Sequence, residues 1–533
     1  MTATSQPPAA LRWWTLTVVS VGTFMLMLDL SIVAIALPGI HESLDADFND
    51  MQWVFDAYAL TLAAFLVTAG AVADRSGRKK TFTVGLVVFT LASLACGLAG
   101  NIGMLNISRG VQGVGAAVMF AVGPALLGHE FHGKERAKAF GAFGAAVGIA
   151  VATGPLIGGA LTSGPGWRWI FLINVPVGGV ACLLAMRRLR ESRSGTANPP
   201  DVLGMVTFTV SLAALVLAII RGNTDGWFSA TNIALYVVSA VSLCAFAALT
   251  RARGERAMFD VTVFRSPTFI GLCVVTFLAN VAGLPPIFLE TNYLQSVLGS
   301  SPWEAGLQFL PLSLGMFFFG AAAGGMAGRV PFRVVMAASQ VLLGGALLLT
   351  LFSDPEDSWT ALVPSLLVTG AAFGLFNPTR AALAIGVAEP ARAGVASGIN
   401  ETFQQVGTAL GIAVAGSIFE NRVAQAFLHS GSAGLLGPHA GETATAISAG
   451  SIDTAARAAG PGLFDRIVDD GRAAFTTGFH DAMVLCAVVA LVAAVIAAFS
   501  LRAKDLHATA LDGIRPDLAA EPQNPGTPEA AHQ

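Results

Sequence analysis

Apolar stretches of about 20 residues recur from one end of this chain to the other, each long enough to cross the roughly 30 Å hydrocarbon core of a bilayer as a helix. They begin near Trp13, Met51, Thr81, Met104, Ala139, Arg168, Val202, Ala230, Thr268, Trp303, Arg333, Thr360, Ala396 and His480, which makes fourteen predicted spans. Lipid offers no partners to backbone amides, so such a chain folds as a helical bundle. Composition agrees. Of 533 residues, 54% are hydrophobic and 12% charged, with a mean hydropathy of +0.68, too apolar for a soluble protein of this length. The net charge of -3 points to no nucleic-acid partner. The five cysteines (Cys96, Cys182, Cys244, Cys273, Cys486) lie in apolar stretches without metal or disulfide spacing and read as small hydrophobes. The first span could be mistaken for a signal peptide, since Ala34-Ile35-Ala36 mimics a cleavage site. From Trp13 to Pro38 it is too long for a signal core and carries Asp29, so it is expected to be retained.

Basic residues set the orientation. With the N-terminus inside, the inner loops collect most of the 30 Lys and Arg, including Arg75, Arg78, Lys79 and Lys80, Lys134 to Lys138, Arg187 to Arg193, Arg251 to Arg265, Arg329, Arg333, Arg380 and Arg392. The segments "HESLDADFND" and "SDPEDSW" carry acids and no Lys or Arg. Both termini are therefore expected in the cytoplasm. One shift of the sequence lays Gly70 on Gly324, Arg75 on Arg329 and Lys79 on Arg333. It matches spans 1 to 6 with spans 9 to 14 and leaves spans 7 and 8 as an inserted pair, the pattern of a transporter built from repeats. The expected organisation is a cytoplasmic tail 1–12, a six-helix half 13–190, inserted helices 200–252, a second half 266–502 with an external loop 421–478, and a disordered cytoplasmic tail 503–533.

The turn after the second span, "GAVADRSGRKK", resembles the loop signature G-x-x-x-D-R-x-G-R-K of the major facilitator superfamily through Gly70, Asp74, Arg75, Gly77, Arg78 and Lys79. The resemblance covers nearly the whole chain. It implies an all-α membrane protein of fourteen transmembrane helices, two six-helix halves of the major facilitator fold plus two inserted helices. It also implies that Asp74 latches the halves on the cytoplasmic side; the alternative is a loop that only fixes orientation. By elementary electrostatics Asp74 needs a nearby Arg or the N-terminus of another helix. The matching turn of the second half has Gly328 in place of the acid, so any latch is one-sided.

The fifth span is similar to the glycine-proline signature of proton-exchanging exporters at Gly141, Gly154, Pro155, Gly158 and Gly159, with Ala150 in place of the usual middle glycine. Small residues allow backbones to approach, and Pro155 bends a helix; ordinary membrane packing is the alternative. "LDLSIVAIALP" in the first span and "SGINETFQQVGTALGIAVAGS" in the thirteenth resemble fourteen-helix drug:proton antiporters, with Ser31 and Ala34 where that pattern has Thr and Asn. The resemblance implies a monomer in a bacterial inner (plasma) membrane, working on amphipathic small molecules and protons without a cofactor.

A charge at the bilayer centre costs roughly 3 kcal/mol or more, so each needs a partner, a wet cavity or a task. Asp29 lies about 13 Å below Pro38 at helical rise, near mid-membrane. Burial favours the neutral form of a carboxyl and lets it alternate between protonated and charged states near neutrality, so Asp29 is the first candidate for coupling. Asp56 and Arg109 are at similar depth and able to meet as an ion pair; Arg109 keeps its proton and is expected to tune or hold a carboxylate. Glu401, with Gln404 and Gln405 nearby, is either a second proton or cation site or an interfacial acid wetted from the cytoplasm. These residues suit proton-coupled antiport by alternating access, and 100 mV on one proton supplies about 2.3 kcal/mol. No G-x-x-x-x-G-K phosphate loop is present. Alternatives are a narrow exporter of an endogenous metabolite, an uptake symporter, and an enzyme or sensor, for which no nucleophile or metal-spaced constellation occurs in the spans.

Overall fold

In a computed structural model the apolar stretches are helices, and the structure describes residues 9–44, 48–131, 133–192, 201–253, 264–326, 329–387, 393–460 and 462–502. The first group comprises α1 (Ala9–Leu44), α2 (Phe48–Ser76), α3 (Arg78–Gly97), α4 (Ile102–Glu130), α5 (Gly133–Ser163), α6 (Trp169–Leu172) and α7 (Asn174–Arg188). A hairpin of α8 (Val202–Asp225) and α9 (Ala230–Arg253) follows. Next come α10 (Pro267–Ser296), α11 (Pro302–Gln308), α12 (Leu310–Met326), α13 (Phe332–Leu349), α14 (Val363–Gly386) and α15 (Ala393–Leu428). Three short helices, α16 (Gly431–Leu436), α17 (Ala440–Ser448) and α18 (Ile452–Ala458), precede α19 (Phe464–Ser500).

Among the described residues thirteen helices are long and apolar enough to cross a membrane. The predicted span missing from these thirteen is the fifth, α5, 31 residues long and so about 46 Å at helical rise; within it Lys138–Ala150 is the apolar part. Two spans are broken near one end: α6 gives way to α7 at Ile173, and α11 to α12 at Phe309. Ser301 and Glu304 close a capping box that starts α11.

The segment 421–478, expected as a loop, is mostly helix. The thirteenth span runs on to Leu428, and the fourteenth begins at Phe464, well before His480. Phe419, Val423 and Phe427 of α15 and Ile467, Phe475 and Phe479 of α19 are buried in one apolar cluster with Ala433, Ile447 and Ile452 of the short helices. Charged residues such as Arg422 and Arg466 interrupt the hydropathy there, but they lie on the outer faces of helices whose inner faces are apolar. The molecule thus has a capped end, bearing α16, α17 and α18, and a basic end, bearing the turns around Arg78 and Arg187. Gly328 and the tail 503–533 lie outside the described residues.

Helices α1 to α7 pack as one bundle and α10 to α15 with α19 as another. They meet where glycines allow the backbones to touch. Added Cβ atoms at Gly398 of α15 and Gly141 of α5 would come within 2.8 Å of the Leu66 carbonyl of α2 and 2.9 Å of the Gly320 carbonyl of α12, respectively. In lipid no hydrophobic effect pulls helices together, so this close approach is what holds them. Helix α8 straddles the same seam: Leu212 and Val216 pack on Ala63 of α2 with Val406 of α15 alongside, and Thr209 shares a 2.9 Å hydrogen bond with Thr68. Helix α9 is mostly exposed, with Asn232, Ser239, Phe246 and Thr250 its buried residues.

At the basic end Gly77 breaks the chain between α2 and α3 with φ of 108°, a backbone that side chains rarely adopt. The Glu191 carboxylate accepts the Lys79 and Lys80 amides at 3.1 and 3.2 Å, capping α3. A Cβ on Gly77 would come within 2.5 Å of that carboxylate. Gly77→Ala is therefore expected to cost about 1–3 kcal/mol and to lower the melting temperature of the detergent-solubilised protein; an unchanged melt would show that the turn tolerates a side chain.

Candidate functional site

Asp29, near the middle of α1, has no solvent exposure to speak of: it and Arg109 of α4 are buried to within 1%. Arg109 Nη1 donates to Asp29 Oδ2 at 2.5 Å, and Gln112 Nε2 donates to Asp29 Oδ1 at 2.9 Å. Arg109 and Gln112 are three apart and so share a helix face; Nη1 also donates to Gln112 Oε1 at 2.9 Å. Arg109 Nε donates to the Val54 carbonyl of α2 at 2.9 Å, and the guanidinium lies 4.3 Å from the centre of the Tyr58 ring. A second tier follows: Ser93 of α3 receives Gln112 Nε2 at 3.3 Å and Asn174 Nδ2 of α7 at 3.1 Å, and donates to the Phe171 carbonyl at 2.9 Å. One carboxylate thereby ties together α1, α2, α3, α4 and α7.

The Asp56–Arg109 meeting expected from depth is not made. Arg109 turns to Asp29, while Asp56 is half-buried and within electrostatic reach of Arg221 on α8. Depth along two helices fixes their common height but not which way each side chain points. Gln112, Ser93 and Asn174 were missed as polar neighbours; Gln112 was legible, standing one turn from Arg109 in "RGVQGVG".

Asp74, 4% exposed, was expected to find either an arginine or a helix N-terminus and holds one of each. Arg78 donates to Oδ1 through Nε at 3.0 Å and Nη2 at 2.7 Å. Oδ2 accepts the Val395 amide at 3.0 Å, in the first turn of α15, which belongs to the other bundle. A carboxylate at a helix N-terminus is stabilised by orphan amides and by the helix dipole. Arg136 of α5 reinforces this end by donating to the Ala382 carbonyl of α14 at 3.3 Å. Gly70 is buried in α2; Arg75 and Lys79 are half-buried at the turn, where Lys79 Nζ donates to the Met186 carbonyl at 2.8 Å.

The helix-5 residues divide by face. Gly141 lies on the seam against α12, joined there by Gly144 against Pro378 and Gly148 against Met316. Gly154 faces inward and would strike Ser31 of α1, two residues from Asp29. Ala150 and Gly158 are buried, Gly159 has no heavy atom near its missing Cβ, and the side chain of Pro155 lies outside the described residues.

Glu401 is 2% exposed rather than wetted. Arg380 Nη2 grips it at 2.9 and 3.2 Å and Nη1 donates to Asn400 at 2.5 Å; Asn400 Nδ2 donates to Thr276 of α10 at 3.0 Å. Arg380, counted above among loop residues, is thus a buried member of α14. A further buried acid, Glu290 of α10, escaped the sequence reading, although "PPIFLETNYLQ" places it inside a span.

With this geometry in hand, comparison with known proteins is informative. The sequence profile of the Major Facilitator Superfamily matches residues 19–412. The chain is 37% identical over 409 residues to the multidrug resistance protein Stp of Mycobacterium tuberculosis, covering 76% of this chain and 75% of that one. It is 33% identical over 513 residues to the tetracenomycin C resistance and export protein of Streptomyces glaucescens, covering 93% and 94%. The fold matches a crystal structure of the human organic anion transporter MFSD10 with a TM-score of 0.60 at 15% identity, over 91% of this chain and 100% of that one.

Removing the Asp74 carboxylate leaves Arg78 and the start of α15 without their anion, at about 1.5–3 kcal/mol for a charged hydrogen bond. Asp74→Ala is expected to lengthen the distance between spin labels at Lys80 and Arg265, one on each bundle at the basic end, as measured by electron double resonance. An unchanged distribution would remove Asp74 from the contact between bundles.

Proposed function

The chain belongs to the major facilitator superfamily, and on that premise we propose that it exports amphipathic drugs or toxic small molecules across a bacterial inner membrane in exchange for protons. The observation that carries this reading is the sealed Asp29–Arg109–Gln112 cluster. Asp29 as a carboxylate balances Arg109. When a proton neutralises Asp29, the guanidinium keeps only neutral acceptors, Gln112 and the Val54 carbonyl, and a buried unpaired charge costs about 3–5 kcal/mol. Protonation is therefore tolerable only with a rearrangement that gives Arg109 water or another anion. Relative movement of α1 and α4 supplies it, and Gly154 against Ser31 transmits that movement to α5 and the seam.

The positive-inside rule puts the basic end, with both termini, in the cytoplasm. The present conformation is then closed on the cytoplasmic side by Asp74, and protons reach Asp29 from outside. Their arrival and the unlatching of Asp74 lead to the opposite opening, where the proton leaves and cargo is taken up. Asp56, paired in charge with Arg221, ties the inserted hairpin to α2; Glu401 fastens α14 to α15. The protein works as a monomer without cofactor or nucleotide, its organisation being 1–12, 13–190, 200–252, 266–502 and 503–533 as set out above.

The breadth of cargo follows the names of the relatives, which include a multidrug resistance protein. A narrow exporter of an endogenous metabolite is the second reading, favoured by the relative named for tetracenomycin C export, which aligns over 94% of its own length. The test is efflux of ethidium from energised cells lacking their own pumps. Asp29→Asn is expected to abolish proton-driven efflux, at least about 100-fold if a 3 kcal/mol pair is lost, while Gln112→Ala weakens it and shifts its pH profile. Equal, uncoupler-sensitive efflux in Asp29→Asn and the unsubstituted protein would overturn the assignment.

A further inference from the structure

Most buried carboxylates among the described residues face a cation: Asp29 meets Arg109, Asp74 meets Arg78, Asp201 meets Arg253 and Glu401 meets Arg380. Glu130 lies within reach of Arg190 and Arg12. Glu290 is different. It is fully buried in α10, its one polar contact is the neutral Ser365 hydroxyl of α14 at 3.4 Å, and its Oε2 has no partner.

Among the described residues, no charged group of the helices packed against α10 forms an ion pair or hydrogen bond with Glu290. Arg380 and Glu401 hold each other toward the basic end. Asp481 of α19 pairs with Arg422 of α15, His480 lies beside Phe479, Glu304 closes the cap of α11, and Glu420 is exposed. Tyr293, one turn further along α10, stacks on Phe479 at 4.8 Å. An ionised carboxylate so placed has lost its hydration with nothing in return, whereas the neutral acid loses only a hydrogen bond.

The backbone next to it is equally unusual. Pro285 and Pro286 lie inside α10, so the carbonyls of Val281 and Ala282 lose their helical donors and the helix can bend one turn before Glu290. Gly411 of α15 sits on the freed Val281 carbonyl, 2.6 Å from where its Cβ would be. The shift that lays Gly70 on Gly324 also lays Ala36 on Glu290. Glu290 is therefore on the repeat-related helix of Asp29, about 10 Å nearer the capped end and about 9 Å from the end of α10.

From this geometry we propose that Glu290 is a second protonation site, carrying a proton in the present conformation and releasing it when α10 bends at Pro285–Pro286 in the opposite one. The inference deepens the proposed proton exchange and rests on it for its role, though not for the proton itself. One O–H bond forms on Glu290 with a proton from water at the capped end, and the same bond breaks to water in the other state. No electrons move and no co-reactant is needed. Asp29 in one bundle is thus held by a cation, while Glu290 in the other has none and carries its own proton.

The test is infrared spectroscopy of the full-length protein in lipid nanodiscs at neutral pH. A buried protonated-carboxyl band is expected in the unsubstituted protein, retained in Asp29→Asn and Glu401→Gln, lost in Glu290→Gln and shifted in Glu290→Asp. A band unchanged in Glu290→Gln, or absent to begin with, overturns the proposal. Glu290→Gln mimics the neutral acid in shape, so ethidium efflux by that variant is expected to persist with a flattened pH profile that Glu290→Asp restores; an unaltered profile counts against the role. Efflux by the unsubstituted protein that ignores a proton gradient, with the band intact, would instead overturn the exchange reading and leave the protonated Glu290 standing.

Discussion

A carboxylate and a guanidinium sealed from water constrain everything else in this molecule. Asp29 and Arg109 cannot be separated or neutralised singly without leaving a charge in a medium that does not solvate it. The N-terminal bundle is built around keeping them together: Gln112 bridges the two, Tyr58 lies under the guanidinium, and Ser93 and Asn174 fix Gln112. Five helices therefore share one electrostatic state, and a proton on Asp29 disturbs all of them together.

What turns that disturbance into movement is the seam. The two bundles meet through glycines set against backbone and side chains, through apolar packing of α2 on α15 and of α14 on the first bundle, and through hydrogen bonds at the basic end. Such packed contacts are short-ranged, so the bundles have discrete ways to fit rather than a continuum. Asp74 is well placed for this role because it belongs to α2 yet satisfies α15. The inserted hairpin contributes through α8, which lies over the line where α2 and α15 meet, and Arg221 brings that hairpin into electrostatic contact with Asp56.

Much of this is legible in the amino-acid sequence. Recurrent apolar length gave the spans, and the run around Asp74 called for an arginine or a helix N-terminus; Arg78 and Val395 supply one of each. Height along a helix, counted from a proline or a loop, put Asp29 near mid-membrane and Asp56 and Arg109 at one depth. Azimuth is not available from one sequence, so Arg109 was paired with Asp56, whereas its side chain turns to Asp29. Arg380 was read as a loop residue because proximity to a span's end looks the same in sequence whether the side chain points out or in. The 421–478 segment was underestimated for a related reason: its inner face is apolar only once α15, α19 and the short helices are brought together.

The central claim, that cargo leaves as protons enter on a buried carboxylate, is tested most directly in liposomes containing the purified full-length protein and a trapped pH-sensitive dye. With an outward ethidium gradient and no other driving force, the account predicts that the lumen acidifies as ethidium leaves and that the dye response vanishes when Arg109 has no acid to hold. Ethidium leaving at full rate while the lumen keeps its pH would contradict it.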